Sequence, residues 1–215
     1  KFGLEIYEGL GTTEMMFVFI SAAVTKKVKP GPIGTACPGY EVRVVNENFE
    51  QVKPGEVGKM IVRGPTGTIY WKDNDKQKSS VRDGWCLAGD VVTMDEDGYV
   101  QFLSREDDLI KSSGYRIGPE EIEEALVMHP SVADAGVVGV PAPVIGQKTK
   151  AFVALKPGVK PPEELKKALV AHCKGKIAVY KLPREIEFID AMPRTAVGKL
   201  LRRILRQQEI DKAKK

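Results

Sequence analysis

Residues 104–119 read Ser104-Arg105-Glu106-Asp107-Asp108-Leu109-Ile110-Lys111-Ser112-Ser113-Gly114-Tyr115-Arg116-Ile117-Gly118-Pro119. The stretch mixes both charge signs with a Ser-Ser-Gly run, and the chain changes character across it. Before Ser104 there are 12 basic and 14 acidic residues, a balance of −2; from Ser104 onward there are 21 and 15, a balance of +6. A charged break of this kind marks a linker or hinge. It predicts a division into residues 1–103, a hinge at 104–108 and a second domain at 109–215.

Upstream, the pattern is strands and turns. Residues 40–45 alternate around Val42 and Val44, and Asn46 to Asn48 give a turn signal. Met60-Ile61-Val62 marks a short apolar strand within 58–63. Residues 91–94 and 99–103 flank Asp95-Glu96-Asp97-Gly98, a hairpin signal. Residues 64–82 have few apolar anchors and read as a surface loop with a short helix.

Downstream, the periods lengthen. Gly118-Pro119-Glu120-Glu121 opens a helix, because proline suits the first turn and acids favour the positive dipole end. Ile122, Ala125, Leu126 and His129 share a face, and His129-Pro130 stops it. Residues 135–140 and 151–155 read as buried strands. Pro161-Pro162-Glu163-Glu164 opens another helix, with Leu165, Ala168, Leu169 and Cys173 on one face. Residues 185–189 alternate like a strand, and Leu200, Leu201, Ile204 and Leu205 suggest a last amphipathic helix. Helix, strand, strand, helix, strand, helix predicts a small α+β domain.

The chain has 215 residues, 42% hydrophobic and 29% charged, which excludes disordered and collagen-like classes. Its apolar runs are too short for a membrane-spanning helix. Cys37, Cys86 and Cys173 are an odd number without a C-x-x-C pair. That argues against a disulfide framework or zinc site and predicts a reducing, cytoplasmic setting. Of the net charge of +4, residues 199–215 carry seven basic groups against two acidic ones. This tail reads either as a solvated basic helix or as a face for a polyanion. No DNA- or RNA-binding motif accompanies it, so nucleic acid is not the expected partner. The chain starts at Lys1 rather than methionine and has no signal segment, and it reads as a piece of something longer.

Five clusters carry candidate chemistry. Tyr7-Glu8-Gly9-Leu10-Gly11-Thr12-Thr13-Glu14 combines glycines that admit a close ligand, hydroxyls that donate to phosphate and a carboxylate suited to Mg²⁺; it reads equally as a glycine turn before a helix. Asp83-Gly84-Trp85-Cys86-Leu87-Ala88-Gly89-Asp90 places an acid after a glycine and before a strand, where it can accept from a ribose diol or simply end a turn. The quoted 104–117 stretch, taken alone, is a solvated loop. Gly118-Pro119-Glu120-Glu121-Ile122-Glu123 is a well-capped helix start. Met192-Pro193-Arg194-Thr195-Ala196-Val197-Gly198-Lys199 sets a lysine beside a glycine, able to meet a phosphate or carboxylate as a mobile point charge.

In their order and spacing, the five clusters resemble the later motifs of the adenylate-forming superfamily: acyl-CoA synthetases, peptide-synthetase adenylation domains and luciferases. The likeness is greatest to medium-chain acyl-CoA and benzoate-type CoA ligases and covers the whole chain. It implies the β-rich end of a large N-terminal AMP-binding domain, followed by a small mobile α+β C-terminal domain. It implies an ATP-dependent acid–CoA ligase that makes acyl-AMP and then acyl-CoA, with ATP, Mg²⁺ and CoA as cosubstrates. By likeness, Glu8, Gly9 and Leu10 would border adenine, Thr13 would meet phosphates and Glu14 would hold Mg²⁺. Asp90 and Arg105 would bind the ribose, and Asp107 would be the hinge. Lys199 would be the catalytic cation of adenylation. In thioester formation Lys111 and Arg116 would replace it, with Ser113 and Gly114 along the pantetheine tunnel.

There are departures. Leu10 stands where the family usually has tyrosine, Ala88 where threonine is common, and Ser104 where glycine often precedes the arginine. The family's upstream phosphate loop is absent from these residues, so the 215-residue chain is expected to be inactive alone. A carrier-protein thiol as acceptor, oxidation of the adenylate and a non-catalytic polyanion-binding module are the alternatives. The identity of the acid is not legible, and homo-oligomerisation stays open.

Overall fold

A computed structural model describes residues 3–159 and 163–213. The chain divides into two compact units, Lys1–Glu106 and Asp107–Lys215. Pro161 and Pro162 of the expected helix opening lie outside the described residues.

The first unit is mostly antiparallel sheet. A three-stranded sheet joins β1 (Gly9–Gly11), β2 (Val18–Ser21) and β3 (Thr35–Ala36). A five-stranded sheet holds β4 (Glu41–Val45), β5 (Gly58–Arg63), β6 (Val81–Arg82), β7 (Trp85–Met94) and β8 (Val100–Arg105), with α1 (Asn74–Ser80) leading into β6. Period-two alternation sorts the side chains. Val44, Met60, Val62, Cys86, Val92 and Val100 turn inward with Met15, Phe19 and Ile20. Val45, Ile61 and Trp85 form a smaller cluster on the other face, where Arg43 and Arg63 lie over the Trp85 ring. The expected hairpin at Asp95-Glu96-Asp97-Gly98 joins β7 to β8, with the Asp95 carboxylate accepting from the Asp97 and Tyr99 amides.

Two expectations here need correction. The glycine cluster at residues 7–14 leads into a β-hairpin rather than a helix, because Gly9 and Gly11 pair with β2. Asp90 does not precede a strand; it sits inside β7, whose ten residues start at Trp85.

The second unit is a sheet ordered β10-β9-β12-β11, with β13 parallel to β12. Its elements are β9 (Ile110–Ser112), β10 (Tyr115–Ile117), α2 (Pro119–Val127), β11 (Val132–Ala142), β12 (Gly146–Leu155), α3 (Glu163–Cys173), β13 (Glu185–Phe188) and α4 (Arg202–Ala213). Helices α2 and α3 cover one face, burying Ile122, Leu126, Leu169 and Cys173 against Val137, Ala151 and Val153. Leu205 of α4 covers the other face with Met192, against Val138, Val140 and Phe152. Strands buried on both faces read as continuous apolar runs, which is why β11 and β12 were recognisable.

The α+β expectation holds, with three changes. Residues 110–117, taken alone a loop, form a β-hairpin. Ala168 is exposed, and Val170 packs toward the core instead. Leu200 and Leu201 precede α4 rather than belong to it. The basic tail is also less solvated than its composition suggests: Arg202, Arg206 and Lys212 are taken up by Asp108, Glu120, Glu123, Glu187 and Glu209. No described helix is long and apolar enough to cross a membrane.

Candidate functional site

In the first unit the central pair is Asp90 and Arg105, opposite one another on β7 and β8. Asp90 is 2% exposed, and its Oδ1 accepts from Arg105 Nη1 at 2.7 Å. Arg105 also donates to the Ala88 carbonyl at 2.9 Å. The guanidinium lies over Gly89, where a Cβ would sit 2.8 Å from Nη2 and the φ is +73°, so the crossing favours glycine. Asp90 Oδ2 and Ser104 Oγ are buried without a hydrogen-bond partner, a costly state for a polar atom.

Glu14 comes from the turn between β1 and β2. Its Oε1 accepts from the Tyr70 hydroxyl at 2.8 Å. Burial pushes the Glu14 carboxyl up, but its own backbone amide, the Tyr70 and Thr12 hydroxyls and the Arg105 charge together hold it below the usual carboxylate range. Asp90 moves the other way: burial raises it, Arg105 draws it back, and the Glu14 charge adds to the rise. Burial, then the charges of Glu14 and Asp90, pushes the Cys86 thiol up to about 11. Glu14, Asp90 and Arg105 therefore share one electrostatic neighbourhood. Glu8, Gly9, Leu10 and Thr13 line the adjoining hairpin; Glu8 and Thr13 are exposed, and Leu10 is half-buried against the core. Tyr70 was not recognised in the sequence. It stands 56 residues from Glu14 in a stretch that reads as surface loop, and only the fold joins them.

In the second unit, Lys111 and Arg116 face each other across the β9–β10 hairpin. Ser113 and Gly114 form its tip with φ of 49° and 82°, the paired positive angles of a tight hairpin turn. The hairpin is held at the start of β12, where Ser112 pairs with Gly146 and the Lys111 amide donates to Gln147 Oε1 at 2.8 Å. Lys199 closes a separate turn: the Thr195 amide donates to the Lys199 carbonyl at 2.8 Å, and the Lys199 amide donates to Thr195 Oγ1 at 3.0 Å. Its side chain is exposed. Arg194 of the same loop grips Asp134, which pairs with Ala154 near the end of β12. Residues 146 and 154 are eight apart on one strand, so the two cationic groups are anchored roughly 25 Å from each other. The fold does not bring Lys111 and Arg116 to Lys199; it sets them at opposite ends of a sheet.

Asp107 begins the second unit and is exposed. Its carbonyl accepts from Arg206, while Asp108 pairs with Arg202 at 3.0 Å and Arg206 at 3.1 Å. Of the segment expected to be the hinge, Asp107 and Asp108 are thus bound to α4, while Ser104 and Arg105 belong to β8. No group of three or more His, Cys, Asp or Glu side chains suited to a metal occurs among the described residues.

Comparison with known proteins gives the family of this architecture. The AMP-binding enzyme family matches residues 1–71, and the AMP-binding enzyme C-terminal domain matches residues 121–199. The chain belongs to the AMP-binding, adenylate-forming enzyme family. It is 42% identical to the mitochondrial acyl-coenzyme A synthetase ACSM3 of Mus musculus, across 97% of this chain and 37% of that protein. The anthranilate CoA ligase AuaEII, solved with anthranoyl-AMP, superposes with a TM-score of 0.86 at 36% identity, over 96% of this chain and 40% of that one. A benzoate CoA ligase from Burkholderia xenovorans LB400 superposes with a TM-score of 0.81 at 38% identity, over 95% and 41%. The chain spans about two fifths of the length of these relatives.

Proposed function

We propose that the protein carrying this chain is an ATP-dependent acid–CoA ligase. A carboxylate oxygen attacks the α-phosphorus of ATP and pyrophosphate leaves; the CoA sulfur then attacks the acyl carbon and AMP leaves. The observation that carries this reading is the separation of two cationic groups at opposite ends of β12. A two-step reaction needs different charges at one reacting centre in turn. A rigid domain with one group at each end can supply them by rotating, and Asp107 is the residue about which we propose it turns.

In the first step Lys199 offsets the repulsion between two anions, an electrostatic role that is strongest where water is excluded. Thr13 donates to the nucleotide phosphates, and Glu8, Gly9 and Leu10 border the adenine. Asp90 and Arg105 take the ribose hydroxyls; Asp90 Oδ2, buried and unpartnered, would gain its missing donor once the half-exposed Arg105 guanidinium moves aside. Glu14, ionised and oriented by Tyr70, would hold Mg²⁺, which neutralises phosphate charge when bound. In the second step the Lys111 and Arg116 face replaces Lys199, with Ser113 and Gly114 beside the pantetheine arm.

The acid proposed is medium-chain or aromatic, in keeping with the acyl-CoA synthetase, anthranilate and benzoate names of the relatives. A reducing compartment such as the cytoplasm is proposed from the three free cysteines. The test is ATP–pyrophosphate exchange by the full-length protein with medium-chain fatty acids and benzoate, followed by CoA. Acid-dependent exchange and an acyl-CoA product are expected. Absence of exchange with every acid overturns adenylation; exchange without thioester points to a carrier-protein thiol. The 215-residue chain alone is expected to give no exchange.

A further inference from the structure

The loop that carries Lys199 is held from below by a side chain with no role assigned above. Its two ends are pinned by packing, since Met192 and Leu200 join the apolar cluster under α4. Its tip is not: Val197 is 81% exposed and Gly198 has a φ of +84°. Beneath the loop is a groove of about 570 Å³, which Glu123, Ala135, Leu200 and Arg202 help to line. Packed side chains therefore do not fix the tip.

Arg194 does. Its Nε donates to Asp134 Oδ2 at 3.0 Å, and its Nη2 donates to Oδ1 at 2.8 Å and Oδ2 at 2.7 Å. Its Nη1 donates to the Gly198 carbonyl at 2.6 Å. One guanidinium thus joins β11 to the peptide immediately before Lys199. Asp134 is itself held, with Oδ1 accepting from the Ala135 amide at 2.9 Å. The planar fork of arginine suits two carboxylate oxygens and a third acceptor at once; an ammonium cannot span them in the same geometry. Because Asp134 neutralises Arg194, the arginine contributes orientation rather than charge.

We propose that Arg194, strapped to Asp134, is the positioning residue that presents Lys199 for adenylation. The inference rests on the reading of Lys199 as the adenylation cation. A cation displaced by about 1 Å from a reacting centre can lose on the order of 10²-fold in rate, so the strap has a kinetic consequence without touching substrate.

The test is a double-mutant cycle in the full-length protein, with both half-reactions measured. Arg194→Ala is expected to slow ATP–pyrophosphate exchange roughly 10- to 100-fold, while thioester formation from supplied acyl-AMP stays within about twofold of wild type. Arg194→Lys should recover only part of the loss. In a Lys199→Ala background, Arg194→Ala should cost nothing further, because there is no ammonium left to position. A loss that adds to that of Lys199→Ala, or that falls equally on both half-reactions, overturns the proposal.

A second measurement is independent of activity. In the 215-residue chain, ¹⁵N relaxation should show the Gly198 and Lys199 amides losing order in Arg194→Ala, with β11 and β12 amides unchanged. Unaltered order at Gly198 and Lys199 overturns the strap. If instead Lys199→Ala leaves exchange intact, the reading of Lys199 fails and the relaxation result alone decides whether Arg194 holds the loop.

Discussion

The two units hold the charges proposed as functional in opposite ways. In the first, Asp90 is 2% exposed and clasped by Arg105 from the neighbouring strand, and Glu14 is held by Tyr70. In the second, Lys111 and Lys199 are exposed on a hairpin and a turn. Burying a charge costs several kcal/mol unless it is paired and hydrogen-bonded, so the first unit must interlock its groups and gains a preformed site. The second unit leaves Lys111 and Lys199 hydrated, at no folding cost.

The contrast is tested most severely at Lys199. If the ammonium acts only in adenylation, Lys199→Ala in the full-length protein should slow ATP–pyrophosphate exchange about 10²- to 10³-fold, the scale of one preorganised electrostatic contact. Thioester formation from supplied acyl-AMP should change little. Equal loss in both half-reactions would erase the distinction between the two ends of the β12 sheet.

Independence of the units comes next. Leu205 is fully buried under the second sheet, and Leu205→Ala should cost about 2–5 kcal/mol. Calorimetry of the 215-residue chain should show two transitions, with only that of the second unit lowered. A single transition shifted as a whole would mean the units do not fold separately. A smaller effect is expected at Gly114, whose φ of +82° strains any other residue by about 1–2 kcal/mol. Nothing lies within 4 Å of the Cβ it lacks. Gly114→Ala should therefore spare exchange and slow thioester formation severalfold. An unaltered second step would remove Gly114 from the CoA path.

How much of this was legible follows the same divide. Local signals were readable: the Asp-rich hairpin before Tyr99, the proline-opened helix at Pro119 and the two apolar runs of β11 and β12. The β9–β10 hairpin hid behind its charges. Each of its strands has only three residues, and its face is completed by Ile110 and Ile117 alone. Ala168 was placed inward by helical spacing, but the sheet lies under Val170. The candidate site showed as clusters of residue types, yet its wiring did not. Tyr70 meets Glu14 across 56 residues, and Arg194 meets Asp134 across 60. Such pairs have no local period, because tertiary folding alone brings them together.

The smallest expected effect probes a place where the second unit, like the first, buries its charges in pairs. Glu120, in the first turn of α2, lies 3.2 Å from Arg202, with Glu123 and Asp108 on the same guanidinium. Its Oε2 is buried without a partner. Burial, opposed by Arg202 and its own backbone amide and reinforced by Glu123 and Asp108, pushes the carboxyl up to about 7. An unfolded glutamate titrates near about 4.3, so the folded pKa is the higher one. Between these values the folded chain retains a proton that the unfolded chain has released. Stability therefore falls as pH rises through this window, and the penalty is complete above the folded value. Glu120→Gln removes the proton exchange and keeps the shape. It should raise the midpoint of the second transition at about pH 8, with the gain shrinking as the pH approaches about 5. The first transition should not move. A variant less stable than wild type at the higher pH, or an offset independent of pH, would show that Arg202 needs the Glu120 charge and that this cluster is interlocked as tightly as Asp90 with Arg105.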